Sequence, residues 1–161
     1  MITGNFYYIN DAYYEKFHNC NLMGNKEEDE LGRHGRPCFY CFEQDGLYWM
    51  IPISSQIRKY KDLYKEKMQR YNGKFDGIRF GFVNAKERAF LIQNACPVVE
   101  KYIESEYRIE KNTKPVTIDE TLSRELNGII RKVIRLYKDK GIKIILTDLD
   151  TILKELHKDI T

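Results

Sequence analysis

The strongest constraint on this chain lies between residues 36 and 53. Residues 36–42 (RPCFYCF) and 47–53 (LYWMIPI) are β-rich runs joined through Gln44-Asp45-Gly46. Asp-Gly readily takes the positive φ values of a tight hairpin turn. The two runs therefore read as an antiparallel hairpin, and its open end brings Arg36-Pro37 beside Pro52 to Ser55.

Helices and short strands are expected around that hairpin. Residues 5–9 (NFYYI) read as a strand, and Asp11 as the cap of a helix carrying Tyr13, Tyr14 and Phe17. Residues 20–35 are polar, hold three glycines and read as a long loop. Ser54-Ser55 can cap a helix over residues 56–70, whose Ile57, Tyr60, Tyr64 and Met68 share one stripe. Residues 77–84 and 88–94 form a second strand pair, with a short helix expected around 100–104. Asp119 and Glu120 open a long helix, apolar at 3–4 spacing from Leu122 to Tyr137 and ended by Gly141. A strand over 142–146 and a helix over 148–157 complete the expectation. No repeat, linker or low-complexity tract interrupts the chain. Residues 1–161 thus predict a single α+β domain built on an antiparallel sheet.

Composition narrows the function classes. With 42% hydrophobic and 32% charged residues the chain is globular and soluble, not disordered. A net charge of +3 is too small for the whole-molecule field to argue for nucleic acid. Clustering carries more weight, and Arg58, Lys59, Lys61, Lys65, Lys67 and Arg70 are clustered. The 12 tyrosines offer a stacking face and a polar tip together, which suits bases as well as strand surfaces. No apolar run approaches the ~20 residues of a membrane span, and the N-terminus lacks a signal peptide's order. A cytoplasmic location is expected, with the four cysteines as reduced thiols. Cys38 and Cys41 have C-x-x-C spacing, but on a strand they point to opposite faces and cannot share a metal. No metal site and no cofactor are expected.

The motif search leaves one constellation. Asp148-Leu149-Asp150-Thr151 looks like a phosphatase D-x-D-x-T, but too little chain follows it to build the remaining site. Thr147-Asp148 reads instead as a helix N-cap. No nucleophile elbow, phosphate-cradling glycine loop or H-E-x-x-H occurs. The hairpin's open end remains: a guanidinium, Arg36, beside the hydroxyls of Ser54 and Ser55 at the N-terminus of a basic helix. Phosphate binds readily at such helix ends, and arginine grips it bidentately. Two capping serines and a strand-edge arginine would look the same.

These residues also carry a family resemblance. Arg36-Pro37, a strand, a Gly-containing turn, Tyr48-Trp49 and Pro52-Ile53-Ser54-Ser55 resemble the R-P…G…Y-(x)-x-P-L-T-S pattern of type III toxin–antitoxin endoribonucleases, the ToxN, AbiQ and CptN group. Tyr8-Ile9-Asn10 leading to Tyr13, Phe80 to Val83, and Asn94-Ala95-Cys96-Pro97-Val98 resemble further parts of the pattern. The likeness covers residues 5–100 well and the C-terminal helices in outline. It looks closest to the CptN branch, where two serines replace threonine-serine.

The resemblance implies a compact twisted antiparallel sheet, an SH3-like barrel related to the MazF/Kid-type toxins, with peripheral helices. It implies metal-independent RNA cleavage through the 2′-hydroxyl, leaving a 2′,3′-cyclic phosphate and a 5′-hydroxyl. It also implies a partner: a short repeated RNA that folds as a pseudoknot, inhibits the enzyme and is processed by it. The protein alone should be a monomer, bridged by that RNA into a closed assembly. Carried over by position, Ser55 matches the family's serine at the scissile phosphate, Ser54 its threonine, Arg36 a basic residue and Tyr13 the helix-1 tyrosine. The family's lysine two residues after the serine is Ile57 here, so the charge falls to Arg58 or Lys59, with Lys59 preferred. His34 is an added acid–base candidate because its ordinary pKa lies near 6.5. Lys61, Lys65 and Arg70 are expected along the RNA backbone. Two other readings stay open: a ribonuclease toxin neutralised by a protein antitoxin, and a non-catalytic RNA-binding module.

Overall fold

The computed structural model describes residues 1–30 and 32–161. Its elements run β1 (Phe6–Ile9), α1 (Asp11–Lys16), β2 (Lys26–Asp29), β3 (Gly32–Gly35), β4 (Cys38–Gln44), β5 (Leu47–Ser54) and α2 (Ile57–Arg70). They continue with β6 (Arg79–Val83), β7 (Lys86–Phe90), β8 (Cys96–Val98), β9 (Ile103–Glu106), β10 (Arg108–Ile109), β11 (Lys114–Pro115), α3 (Glu120–Lys140) and α4 (Leu149–Ile160). The α+β class and the antiparallel sheet are as the sequence implies.

The β4–β5 hairpin is the centre of that sheet. Asp45 and Gly46 take φ values of 56° and 79°, which close the turn, and the register runs from Gln44↔Leu47 to Cys38↔Pro52. Strand order is β6-β7-β5-β4-β1-β9, with β8 on β5. Along its outer edge β5 changes partner, from β8 at residues 48–50 to β7 at Ile53 and Ser54. A bulge between Tyr40 and Phe42 leaves Cys41 unpaired with β5 and re-phases the strand. Cys41 and Phe42 consequently enter one core, while Cys38 and Tyr40 enter the other. The C-x-x-C thiols are thus on opposite sides of the sheet, and all four cysteines are free and buried.

Three apolar clusters hold the helices. On one face α3 sets Leu126, Ile130 and Val133 against Phe39, Trp49 and Ile51. On the other, α1 and α4 bring Tyr13, Phe17, Ile152 and Leu156 to Cys38, Met50 and Val98. Beneath α2, Tyr60 packs with Ile78, Ala89 and Leu91. The caps are local: Asp119 Oδ1 accepts the amides of Thr121 and Leu122, and Asp148 Oδ1 accepts that of Thr151. Gly141 ends α3 at φ 64°. No helix is long and apolar enough to cross a membrane among the described residues.

Several expectations need correction. Residues 20–35 are not one loop: β2 and β3 pair as a hairpin, Lys26↔Gly35 through Asp29↔Gly32. Leu31, within that stretch, lies outside the described residues. Lys-Glu-Glu-Asp and Gly-Arg-His-Gly have low β-propensity, and side-chain ion pairs organise them instead. Residues 142–146 form no strand; Leu146 donates its amide to Gln93 O (2.7 Å) and Ile145 is buried, so their apolar character serves packing rather than pairing. Asn10, not Asp11, caps α1, accepting the Tyr13 amide. The expected short helix is one 3-10 turn, Glu100–Tyr102, leading into β9.

Packing this tight sets a stability expectation. Leu126 is fully buried and Leu146 is 57% exposed. Leu126→Ala should cost about 2–5 kcal/mol and Leu146→Ala within about 0.5 kcal/mol, measured by urea denaturation. Equal losses would mean that the α3 face is not the core.

Candidate active site

The open end of the β4–β5 hairpin does bring Arg36 to the end of β5. Arg36 Nη1 donates to Ile53 O (2.8 Å), Nε to Gly24 O (2.8 Å), and its amide to Asn25 O (2.6 Å). Between Arg36 and the serines stands Glu27 of β2, which the sequence reading did not single out. Glu27 Oε1 accepts from the Ser55 amide (2.6 Å), the Ser55 hydroxyl (2.7 Å) and, more weakly, the Ser54 hydroxyl (3.4 Å). Its Oε2 lies 3.6 Å from Arg36 Nη1, with both side chains nearly inaccessible. A buried carboxylate persists only with such a partner charge and donors.

This arrangement sets what surrounds each expected residue. Ser54 Oγ accepts the Gln56 amide (3.2 Å), but Gln56 is the N-cap of α2 and makes no side-chain cap bond. The start of α2 therefore faces a protein carboxylate, not an open anion seat. The Arg36 guanidinium is tied to two main-chain carbonyls and Glu27. It holds the site's frame.

A cleft of about 270 Å³ opens beside this cluster, lined among others by Glu27, Asp29, His34, Pro37, Lys86 and Arg88. His34 is the cross-strand partner of Glu27, and Asp29 is its diagonal neighbour on the same face. His34 Nε2 lies 3.0 Å from Asp29 Oδ2, and Nδ1 faces Gly35 O at 2.8 Å. Protonation of the ring makes the Asp29 contact an ion pair, while Nδ1–H can donate to Gly35 O. Burial alone would lower the His34 pKa, but the Gly35 carbonyl, Asp29 and Glu27 together raise it above its ordinary 6.5. Arg88 Nη2 lies 3.7 Å from Asp29 and 3.5 Å from Glu30, and Lys86 also pairs with Glu30.

The other candidates are dispersed. Tyr13 is wholly buried, donates its hydroxyl to Pro97 O (2.7 Å) and stacks edge-on with Phe17 and Tyr102, so it is a core residue rather than part of the cleft. Burial pushes its pKa well up. Arg58, Lys59 and Lys65 are exposed on α2, with Lys59 Nζ 5.3 Å over the Tyr60 ring. Lys61 is paired with Glu87 at 2.5 Å and Arg70 with Glu66 at 3.2 Å. Glu27, Asp29, Lys86 and Arg88 are the residues that sequence reasoning missed. No local pattern marks them: Glu27 and Asp29 lie in the unbroken charged run Lys26 to Glu30, and Lys86 and Arg88 flank Glu87.

No protein-family model and no curated protein matches the chain. Among solved structures its fold is similar to that of AbiQ, a lactococcal anti-phage endoribonuclease belonging to the type III toxin–antitoxin system. The TM-score is 0.65 at 15% identity, over 98% of this chain and 99% of that one. The likeness is one of fold, and it runs the length of both chains.

Proposed function

We propose that this chain is an endoribonuclease toxin of a type III toxin–antitoxin system. It cuts RNA without a metal ion by 2′-hydroxyl attack and is held in check by a repeated pseudoknot RNA that it also processes. The observation that carries this reading is the pairing of two proton-handling groups at one cleft. Glu27, which accepts the Ser55 hydroxyl, and its cross-strand partner His34, whose pKa is raised, both line that cleft. The end-to-end fold likeness to AbiQ supports the class of reaction, and Ser54-Ser55 aligns the chain with the CptN branch.

In this mechanism Ser55 Oγ takes the 2′-hydroxyl proton as it passes its own to Glu27. The 2′-oxygen bonds to phosphorus, the P–O5′ bond breaks, and His34 protonates the leaving 5′-oxygen. Lys86 and Arg88, on the cleft wall, supply positive charge to the phosphorane. Arg36 acts through Glu27, as a positioning residue. The exposed Arg58, Lys59 and Lys65 hold the RNA backbone, and the antidote RNA bridges otherwise monomeric toxins into a closed assembly in the cytoplasm.

Cleavage is expected to proceed in excess EDTA and to leave 2′,3′-cyclic ends, read by end-group analysis. Activity lost to chelation and restored by Mg²⁺ would overturn the metal-free reading. Ser55→Ala should lower the single-turnover rate at saturation by about 100-fold or more, with the variant still folded but about 1.5–3 kcal/mol less stable for the lost bond to Glu27. A variant that cuts at the wild-type rate would leave Ser55 with only a structural contact. Lys65→Ala should instead weaken RNA binding and flatten its salt slope by about 0.7, sparing the saturated rate.

His34 sets the pH dependence. Its folded pKa lies above the ~6.5 of the unfolded chain, so its contribution to stability is complete below pH ~6.5. That contribution disappears as pH rises through the folded pKa. The saturated cleavage rate should fall over the same alkaline range. His34→Gln should remove both dependences; identical pH profiles for variant and wild type would exclude His34 as the acid.

A further inference from the structure

A second cleft, of about 420 Å³, lies at the other end of α2, between that helix's C-terminus and residues 142–146. The 14 residues of α2 place it about 20 Å from Ser55. Tyr71, 49% exposed, and Phe75 line it with near-parallel rings, 16° apart in plane and 6.4 Å between centroids. Lys67, Lys74 and Lys143 stand around it. Lys67 Nζ sits 5.9 Å over the Tyr71 ring, and Lys143 lies 3.8 Å from Asp150 with both side chains exposed. Asp76, the carboxylate on its wall, is already held by Arg79 (3.2 Å) and Lys132 (2.8 Å).

Gln93 makes this cleft more than an apolar groove. It is 94% buried, and its main chain is fully engaged, its amide with Gly77 O (2.8 Å) and its carbonyl with the Leu146 amide (2.7 Å). Its side chain lines the cleft, and its amide atoms are not among the buried unpartnered ones, so they stand open to what fills the cleft. A side-chain amide offers one acceptor and two donors, and a ligand that covers them without pairing them incurs their desolvation cost. A lipid or aliphatic ligand would leave them unmet. A planar heterocycle with donors and acceptors at its edge would meet them while stacking on the aromatic wall, and lysines at the rim suit its phosphates.

We propose that this cleft is a nucleobase pocket that takes an unpaired adenine of a single-stranded RNA, stacked on Tyr71 and Phe75 and read by Gln93. Glutamine's donor–acceptor pair complements the N6/N7 edge of adenine, which favours that base. The pocket anchors the strand whose scissile bond lies at Ser55, so it rests on the ribonuclease reading for its role but not for its chemistry.

The test is fluorescence anisotropy of the full chain with non-cleavable 2′-O-methyl A12 and U12 oligonucleotides. Wild-type protein should bind A12 about tenfold more tightly than U12. Tyr71→Ala should lose about tenfold or more of the A12 affinity, and Tyr71→Phe should keep it. Gln93→Leu should abolish the preference for A12, with thermal melting checking its fold. Tyr71 is exposed, so its alanine variant decides the matter alone: A12 binding within twofold of wild type overturns the pocket. Cleavage of total RNA by the same preparations separates the two claims. A chain that binds A12 through Tyr71 but cuts no RNA keeps the pocket and loses the nuclease. One that cuts RNA while Tyr71→Ala binds A12 normally does the reverse.

Discussion

The buried carboxylate of Glu27 is the contact on which the architecture around the cleft depends. One oxygen collects the amide and hydroxyl of Ser55 and, at longer range, the hydroxyl of Ser54. The other faces Arg36, whose remaining donors reach Gly24 and Ile53 carbonyls. Four segments meet there: the approach to β2, β2 itself, the entry to β4, and the β5–α2 junction. Removing one partner of such a pair leaves an uncompensated buried charge, at a cost of about 3–5 kcal/mol. The interaction is therefore a condition of the local fold as well as a feature of the site.

Two carboxylates on the same face of β2 are set to different tasks by their surroundings. Glu27 is enclosed by Arg36 and the serine donors. Asp29, two residues on, is engaged by His34 and more distantly by Arg88. The first takes the Ser55 donors and Arg36, and the second takes His34. The two carboxylates thus take different partners while both line one cleft. That division arises because the β2–β3 hairpin is short, polar and separate from the main sheet, so its side chains face inward against the sheet's end.

Where sequence patterns were local, they carried through. Asp45-Gly46 dictates the central hairpin because few other residues take those φ values, and the 3–4 spacing with Asp119 and Gly141 dictates α3. The register of the hairpin then brings Arg36 to Ser54 and Ser55, which is how far the site could be read. The partners of those residues were illegible because Glu27 and Asp29 lie in a charged stretch with no strand propensity, 28 residues from Ser55 for Glu27. Tyr13 was marked by family position, and folding buries it in the core with its hydroxyl on Pro97, 84 residues away.

The sequence by itself determined the α+β class, the antiparallel hairpin, the long amphipathic helix and its caps, since turn chemistry and periodicity act within a few residues. Only the tertiary structure decided that residues 26–35 form a hairpin and that residues 142–146 do not form a strand. It also decided that Glu27, rather than an open helix end, faces Ser55. Those outcomes depend on ion pairs and burial between segments far apart in the chain. Charge that must be buried takes the partner that folding brings to it, and no local pattern names that partner in advance.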